Sequence, residues 1–332
     1  MRLRYLVGLL ALVAAGTFVL WTLPANDYIF SPDRAKPLEG RVQVEGAKPR
    51  KDGDVYYVDV FVRRATRLEQ YLPFTRPDGA TLVPERALLP EGTTDTERNR
   101  ENAQLMKQSE VIASAVALSA LGYDVRATPR GATVTGIAAD APAAGKLETG
   151  DVIVAVDGKP TKTPDALRAE IGRHKPGQRV RLTVRRGGEV LDLTVRTVAD
   201  PKDPSRPIVG ILVDQDAKIQ LPIDVEIDLG QVGGPSAGLP FALEIARMLG
   251  GDVTHGCTIA ATGELSLDGG VHEVGGLKQK TIGARRSHVD AFLVPAGDNA
   301  AEARKYADGL TVIPVRSFQQ ALRRLTTNPP KC

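Results

Sequence analysis

In the stretch VGGPSAGLPFALEIARML, residues 232–249, Ser236 stands between a proline and an alanine, with glycines on either side and an apolar helical pattern following at once. A serine in this place ordinarily caps a helix, its hydroxyl accepting a hydrogen bond from one of the first free backbone amides. Three glycines within GGPSAG, residues 233–238, exceed what a cap requires. They ask for positive φ or for close approach by another segment. Amides at a helix start can also hold a developing oxyanion, so Ser236 is a candidate nucleophile, with the backbone around Gly234, Pro235 and Ala237 as its oxyanion site. GPSAG equally satisfies the G-x-S-x-G turn of α/β-hydrolases, which needs an acidic residue and then a histidine further along. Asp268 with His272 or His288 nominally supplies them, although a chain ending at residue 332 leaves little room for the rest of a doubly wound sheet.

A second partner for the serine lies in GGVHEVGGLKQKTIGARRSHVDAFLVPAG, residues 269–297. A helix beginning near Leu277 puts Leu277, Lys280, Ala284 and His288 on one side and Lys278, Arg285 and Arg286 on another. Lys280 is therefore the lysine aimed inward. Such a residue can simply snorkel, its stem covering apolar surface. Burial also disfavours the ammonium form, and a neutral lysine can take a proton from a neighbouring hydroxyl. No histidine is then required.

GGPSAG followed by ATGELSLDGGVHEVGGLKQKTIGARRSHVDAFLVPAGD resembles the proteolytic domain of the Lon family, serine peptidases with a Ser/Lys dyad. The resemblance implies Ser236 as nucleophile and Lys280, the second lysine of GGLKxK, as base. It further implies that the Thr262 hydroxyl orients the lysine, a role to set beside that of an ordinary strand threonine. Two departures stand out. Gly233 occupies a position where Lon proteins commonly carry an acidic residue, and no G-x-x-x-x-G-K-S/T phosphate loop occurs, so cleavage independent of ATP and confined to unfolded segments is expected. The family also implies a homo-oligomeric ring, polypeptide substrates and no cofactor or metal.

These residues need a scaffold. A strand DVYYVDVFV at 54–62, a polar loop carrying LPEGTTDTERNREN and a helix from about Asn102 to Leu121 precede the motifs. Residues 130–200 form a β-rich unit of their own, with strands at 152–156, 180–184 and 190–195, a helix at about 163–173, and DG and GG turns. Its segment AGKLETGDVIVAVDGKP resembles PDZ domains, which bind a peptide tail as an added strand. The resemblance implies a carboxylate loop at Leu121, Gly122 and Tyr123, here without its leading glycine because residue 120 is Ala. A strand at about 222–228 then delivers the serine turn. Strands at 291–294 and 310–315 alternate with helices near 299–307 and 317–326. The expected fold is α+β: a Lon-type proteolytic domain in two parts, 54–121 and 201–328, interrupted by a PDZ-like domain at 122–200.

Residues 5–23, YLVGLLALVAAGTFVLWTL, carry no charge. As a helix they span about 28 Å, the thickness of a bilayer core. Residues 1–26 thus read as a cytoplasmic tip and membrane anchor in contact with lipid, with Arg2 and Arg4 before the span placing the remainder outside the cytoplasm. A cleavable signal peptide with LPAN as its processing site is the alternative. Residues 27–53, rich in Pro, Gly and charge, read as a linker. With 332 residues, 42% of them hydrophobic, a net charge of +3 and only 5% aromatics, the chain suits two folded domains and offers no nucleic-acid surface. Cys257 and Cys332 lack the spacing of a metal site or disulfide framework and are expected to be packing and incidental, respectively. The functional expectation is an anchored serine endopeptidase whose PDZ-like unit recruits or gates substrate tails. An esterase and a non-enzymatic PDZ scaffold are the rivals.

Overall fold

The computed structural model describes residues 2–47, 53–89, 94–138, 140–201, 203–230, 232–250 and 253–332. Parts of two expected connections, 48–52 of the linker and 90–93 of the polar loop, lie outside the described residues. The chain forms two compact units, one from Met1–Tyr123 with Ile223–Cys332 and one from Asp124–Pro222.

The first unit is built on a sheet in the order Lys36–Pro37, Asp54–Tyr57, Thr258–Ala261, Ala291–Pro295, Thr311–Val315. All neighbours pair in parallel except the first pair. The parallel run from Thr258–Ala261 to Thr311–Val315 follows from the alternation of strands with the helices Leu277–Arg286 and Asp298–Tyr306, because each crossover returns the chain in the same direction. AFLVP at 291–295 is buried at every position, as a strand covered on both faces must be. The helix Gly238–Gly250 is buried from Gly238 to Arg247. It holds its two internal charges as a two-bond pair, Arg247 Nε to Glu244 Oε2 at 2.8 Å and Nη2 to Oε1 at 2.7 Å. That pairing is what allows both charges to leave water.

Several expectations need correction here. Residues 27–53 do not serve merely as a linker: Pro24–Pro32 is a strand pairing antiparallel with Val60–Thr66 and with Thr81–Pro84. Tyr28, Ile29, Leu38, Val42 and Val44 are buried, so the apolar residues scattered among prolines and charges have a core to join. The single strand expected at 54–62 is two, Asp54–Tyr57 and Val60–Thr66, assigned to different sheets. The long helix starts at Asp95 rather than 102, on a capping box in which Thr94 and Glu97 satisfy each other's backbone amides. The cysteines are neither incidental nor simply packed: Cys257 and Cys332 form a disulfide that ties the C-terminal tail beside the strand Thr258–Ala261.

The second unit is an antiparallel sheet ordered Glu189–Arg196, Arg179–Arg186, Val152–Val156, Arg126–Ile137, Ile211–Gln220, closed over a core containing Ile153, Val156, Leu167, Val180 and Leu182. The expected turns are formed, with Asp157 and Gly158 both at positive φ, and Gly187 and Gly188 likewise. Ile211–Gln220 pairs along its length with Arg126–Ile137, so this unit continues to Pro222 rather than stopping at 200. Ile211–Gln220 is also the edge strand, and the helix Pro164–Ile171 packs beside it.

Candidate active site

Three elements bring the chemistry-bearing residues together. Ser236 lies in a short 3-10 turn, Pro235–Ala237, entered through Gly234 at φ 92 and running into the helix Gly238–Gly250. The long helix Asp95–Ala120 holds this turn from one side: Asn102 O accepts from the Gly234 amide at 2.8 Å, and Ser109 Oγ donates to Pro235 O at 3.1 Å. A Cβ at residue 233 would lie 2.8 Å from the Cβ of Asn102, which accounts for glycine where an acidic residue is usual in Lon proteins. On the other side the Gly263 amide donates to Ser236 O at 2.9 Å, and Thr262 Oγ1 donates to the same carbonyl at 3.2 Å. Ser236 itself is half-buried.

Lys280 comes from the helix Leu277–Arg286, which starts on Gly276 in the left-handed region at φ 75. Leu277, Lys280 and Ala284 are buried, as the helical phase requires, while Lys278 turns outward over the Tyr306 ring. The helix ends at Arg286, so His288 falls beyond it and is exposed. Lys280 is 4% exposed, and its Nζ donates to Thr262 Oγ1 at 3.1 Å. Thr262 thus bonds both the lysine amine and the serine's carbonyl. Burial pushes the Lys280 amine from an ordinary 10.5 down to about 7, against the opposing charge of Asp59. At that value a substantial fraction is neutral at physiological pH, with a lone pair available to accept a proton.

Asp59 is a member of this neighbourhood that no motif announces. Lys36 bridges its Oδ2 at 3.0 Å and Asp33 Oδ2 at 2.8 Å. Asp59 Oδ1 is buried and has no hydrogen-bond partner among the described residues. The segment carrying Asp33 lies so close to the lysine helix that a Cβ on Gly283 would sit 1.9 Å from Asp33 O. Glycine is required there.

The oxyanion assignment narrows. Pro235 has no amide hydrogen, and the Gly234 amide is committed to Asn102, so neither can serve as a donor. The amides of Ser236 and Ala237, in the first turn after Pro235, are the remaining donors. The expected carboxylate loop is also corrected. Leu121 caps the long helix, Gly122 sits at φ 86, Tyr123 N donates to Leu118 O and Gly122 N to Ser119 O. This is a Schellman stop, and the amides of Leu121, Gly122 and Tyr123 that a carboxylate would need are already donated to helix carbonyls. The hydrolase alternative loses its histidines as well. His272 Nε2 lies 2.8 Å from Ser266 Oγ, which donates in turn to Asp268 Oδ1. That cluster closes a hairpin rather than serving Ser236.

A crevice of about 650 Å³ runs beside the strand Val225–Ile227 that leads towards the serine turn. Glu110, Glu226, Asp228 and Arg41 line it, and burial pushes the Glu110 carboxyl up.

Two family models match the chain, the PDZ domain over residues 119–197 and the Lon protease C-terminal proteolytic domain over residues 211–327. The second match begins at the first residue of the strand Ile211–Gln220, which contacts assign to the β-rich unit. Lon protease 2 of Bacillus subtilis is 34% identical over 117 residues, covering 35% of this chain and 20% of that protein. The Lon protease of Buchnera aphidicola is 30% identical over 146 residues, covering 43% and 19%. The chain thus spans about a fifth of the length of these relatives. Among solved structures, the PDZ domain of an SdrC-like protein from Listeria innocua is 31% identical over 25% of this chain and 92% of its own, with a TM-score of 0.24. The family matches and the Lon relatives liken residues 119–197 to a PDZ domain and residues 211–327 to the Lon proteolytic domain.

Proposed function

We propose that the chain is a membrane-anchored serine endopeptidase in which Ser236 and Lys280 form the catalytic dyad and which needs no ATP. The observation that carries this reading is the buried Lys280 amine bonded to Thr262, whose hydroxyl bonds the backbone of Ser236. Neutral Lys280 takes the Ser236 proton as Oγ attacks a peptide carbonyl carbon, and the amides of Ser236 and Ala237 hold the oxyanion. The lysine then returns the proton to the leaving amine. Water, activated by the same amine, cleaves the acyl ester and restores the serine.

The apolar helix Arg4–Thr22 is long enough to cross a bilayer, and it serves as the anchor in this reading. The disulfide agrees with a catalytic unit outside the cytoplasm, because such bonds persist in oxidising compartments. The β-rich unit recruits substrate tails by adding them as a strand to the edge Ile211–Gln220, beside the helix Pro164–Ile171. Its carboxylate receptor is the turn at Val209–Gly210, where Gly210 has φ 77. Subunits assemble into a homo-oligomeric ring.

Cleavage of an unstructured polypeptide by the purified full chain tests the dyad. Ser236→Ala and Lys280→Ala should each lose roughly 10³-fold or more in kcat while remaining folded. Full activity in either folded variant removes the dyad, whereas no cleavage by the folded wild type leaves the scaffold reading.

A further inference from the structure

The apolar helix does not end in a free tether. Leu23 O accepts from the Arg67 amide at 2.9 Å, and Pro24 pairs with Thr66 across the strands. The short helix Arg67–Tyr71 and the turn Pro73–Thr75 therefore start at the level where the span stops. At that level the chain turns four consecutive residues outward, Tyr71 to Phe74. Phe74 is 82% exposed and Tyr71 65%, whereas Leu12, the most exposed large apolar residue described in the span, reaches 73%. A phenylalanine more open than the span itself is badly placed for water.

The carboxylates flanking this turn each have a partner: Asp27 accepts from Gln70 Nε2 at 2.8 Å and Asp78 pairs with Arg286. Glu69 is taken by Arg63, and that pairing holds its carboxyl down at about 2. Arg67 and Arg76 reach neutral acceptors, Gln70 Oε1 for the first and the carbonyls of Glu69 and Gln70 for the second, and neither forms an ion pair among the described residues. Aromatic and leucine side chains between two arginines, at the outer end of an apolar span, match the membrane–water interface: rings and leucine among the upper acyl carbons, guanidinium groups at lipid phosphates.

The geometry points to Tyr71–Phe74 as a second membrane contact, an aromatic foot that rests on the bilayer beside the anchor. The inference rests on the anchor reading given above. Its consequence is that the sheet holding Pro24–Pro32 meets the membrane at two places and cannot swivel freely about the span.

Trp21 is the chain's one tryptophan, so a single indole can be moved. The full chain is reconstituted in vesicles of phosphatidylcholine and phosphatidylglycerol in equal parts, with and without brominated acyl chains, as wild type and as Trp21→Phe/Phe74→Trp. Wild-type emission reports the anchor, and the double variant reports the foot at a depth of about 5–10 Å. Both should lose emission to the bromines. Loss for wild type alone keeps the anchor and overturns the foot. A blue-shifted but unquenched indole at position 74 also overturns it, because the ring is then buried against protein rather than lipid. If neither form is quenched, anchor and foot fall together.

Discussion

The most demanding consequence of the proposed dyad is that one amine must set both activity and stability as functions of pH, each rising as the pH is raised. With Lys280 held at about 7, roughly one-tenth of it is neutral at pH 6 and nine-tenths at pH 8, so kcat/KM should climb close to ten-fold between them. The unfolded chain keeps the ordinary value of 10.5. Between 7 and 10.5 the unfolded state thus binds more protons than the native one, and stability must rise with pH across that window. Near pH 7 the buried amine costs on the order of 4 kcal/mol, a cost that vanishes above 10.5. Lys280→Met should therefore abolish cleavage, increase stability near neutrality by that order, and remove the slope. Asp59 favours the charged amine, so Asp59→Asn should move the acid limb of the rate profile to lower pH. The assays are cleavage of a fluorogenic unstructured peptide from pH 5.5 to 9 and urea unfolding over the same range. A rate that stays flat from pH 5.5 to 8 in a folded, active enzyme would refute the assignment of Lys280 as base.

Thr262→Val removes the hydroxyl between amine and serine backbone and should lower kcat about 5- to 100-fold with KM little changed, whereas Thr262→Ser should keep most activity. Cys332→Ser opens a loop of sequence separation 75 and should cost about 2–5 kcal/mol in urea unfolding, measured without reductant. An unchanged midpoint would mean that the two cysteines do not pair in the protein. Removing residues 124–222 and joining Tyr123 to Ile223 by a short Gly-Ser linker should spare cleavage of short peptides and weaken that of proteins with extended tails. Equal losses on both substrates would argue against recruitment by the β-rich unit.

Local patterns carried much of the site. The inward direction of Lys280 follows from helical phase, because Leu277 and Ala284 must be buried on the same side. Gly234 declares itself as a positive-φ residue, since GGPSAG has more glycine than a cap uses. What could not be read depends on separations without a period. Asp59 reaches the lysine from a strand break far upstream, and Asn102 and Ser109 hold the serine turn from the middle of a helix. Pro24–Pro32 was obscured by prolines at its ends and charge around it, although burial of Tyr28 and Ile29 decides its state. Thr94 and Glu97 did offer a readable T-x-x-E start for the long helix. The pairing of Cys257 with Cys332 needed the proposed compartment to be combined with the cysteine count: on a chain read as exported, two thiols would have an oxidant available and each other as partner.

The chain enters and leaves the β-rich unit through two strands that pair with each other, Arg126 opposite Gln220. The unit's two ends are consequently about one strand spacing apart, near 5 Å. An insertion closed in this way resembles a cartridge on a single socket. Related chains could exchange this unit for another, or discard it, without redrawing the unit formed by Met1–Tyr123 and Ile223–Cys332.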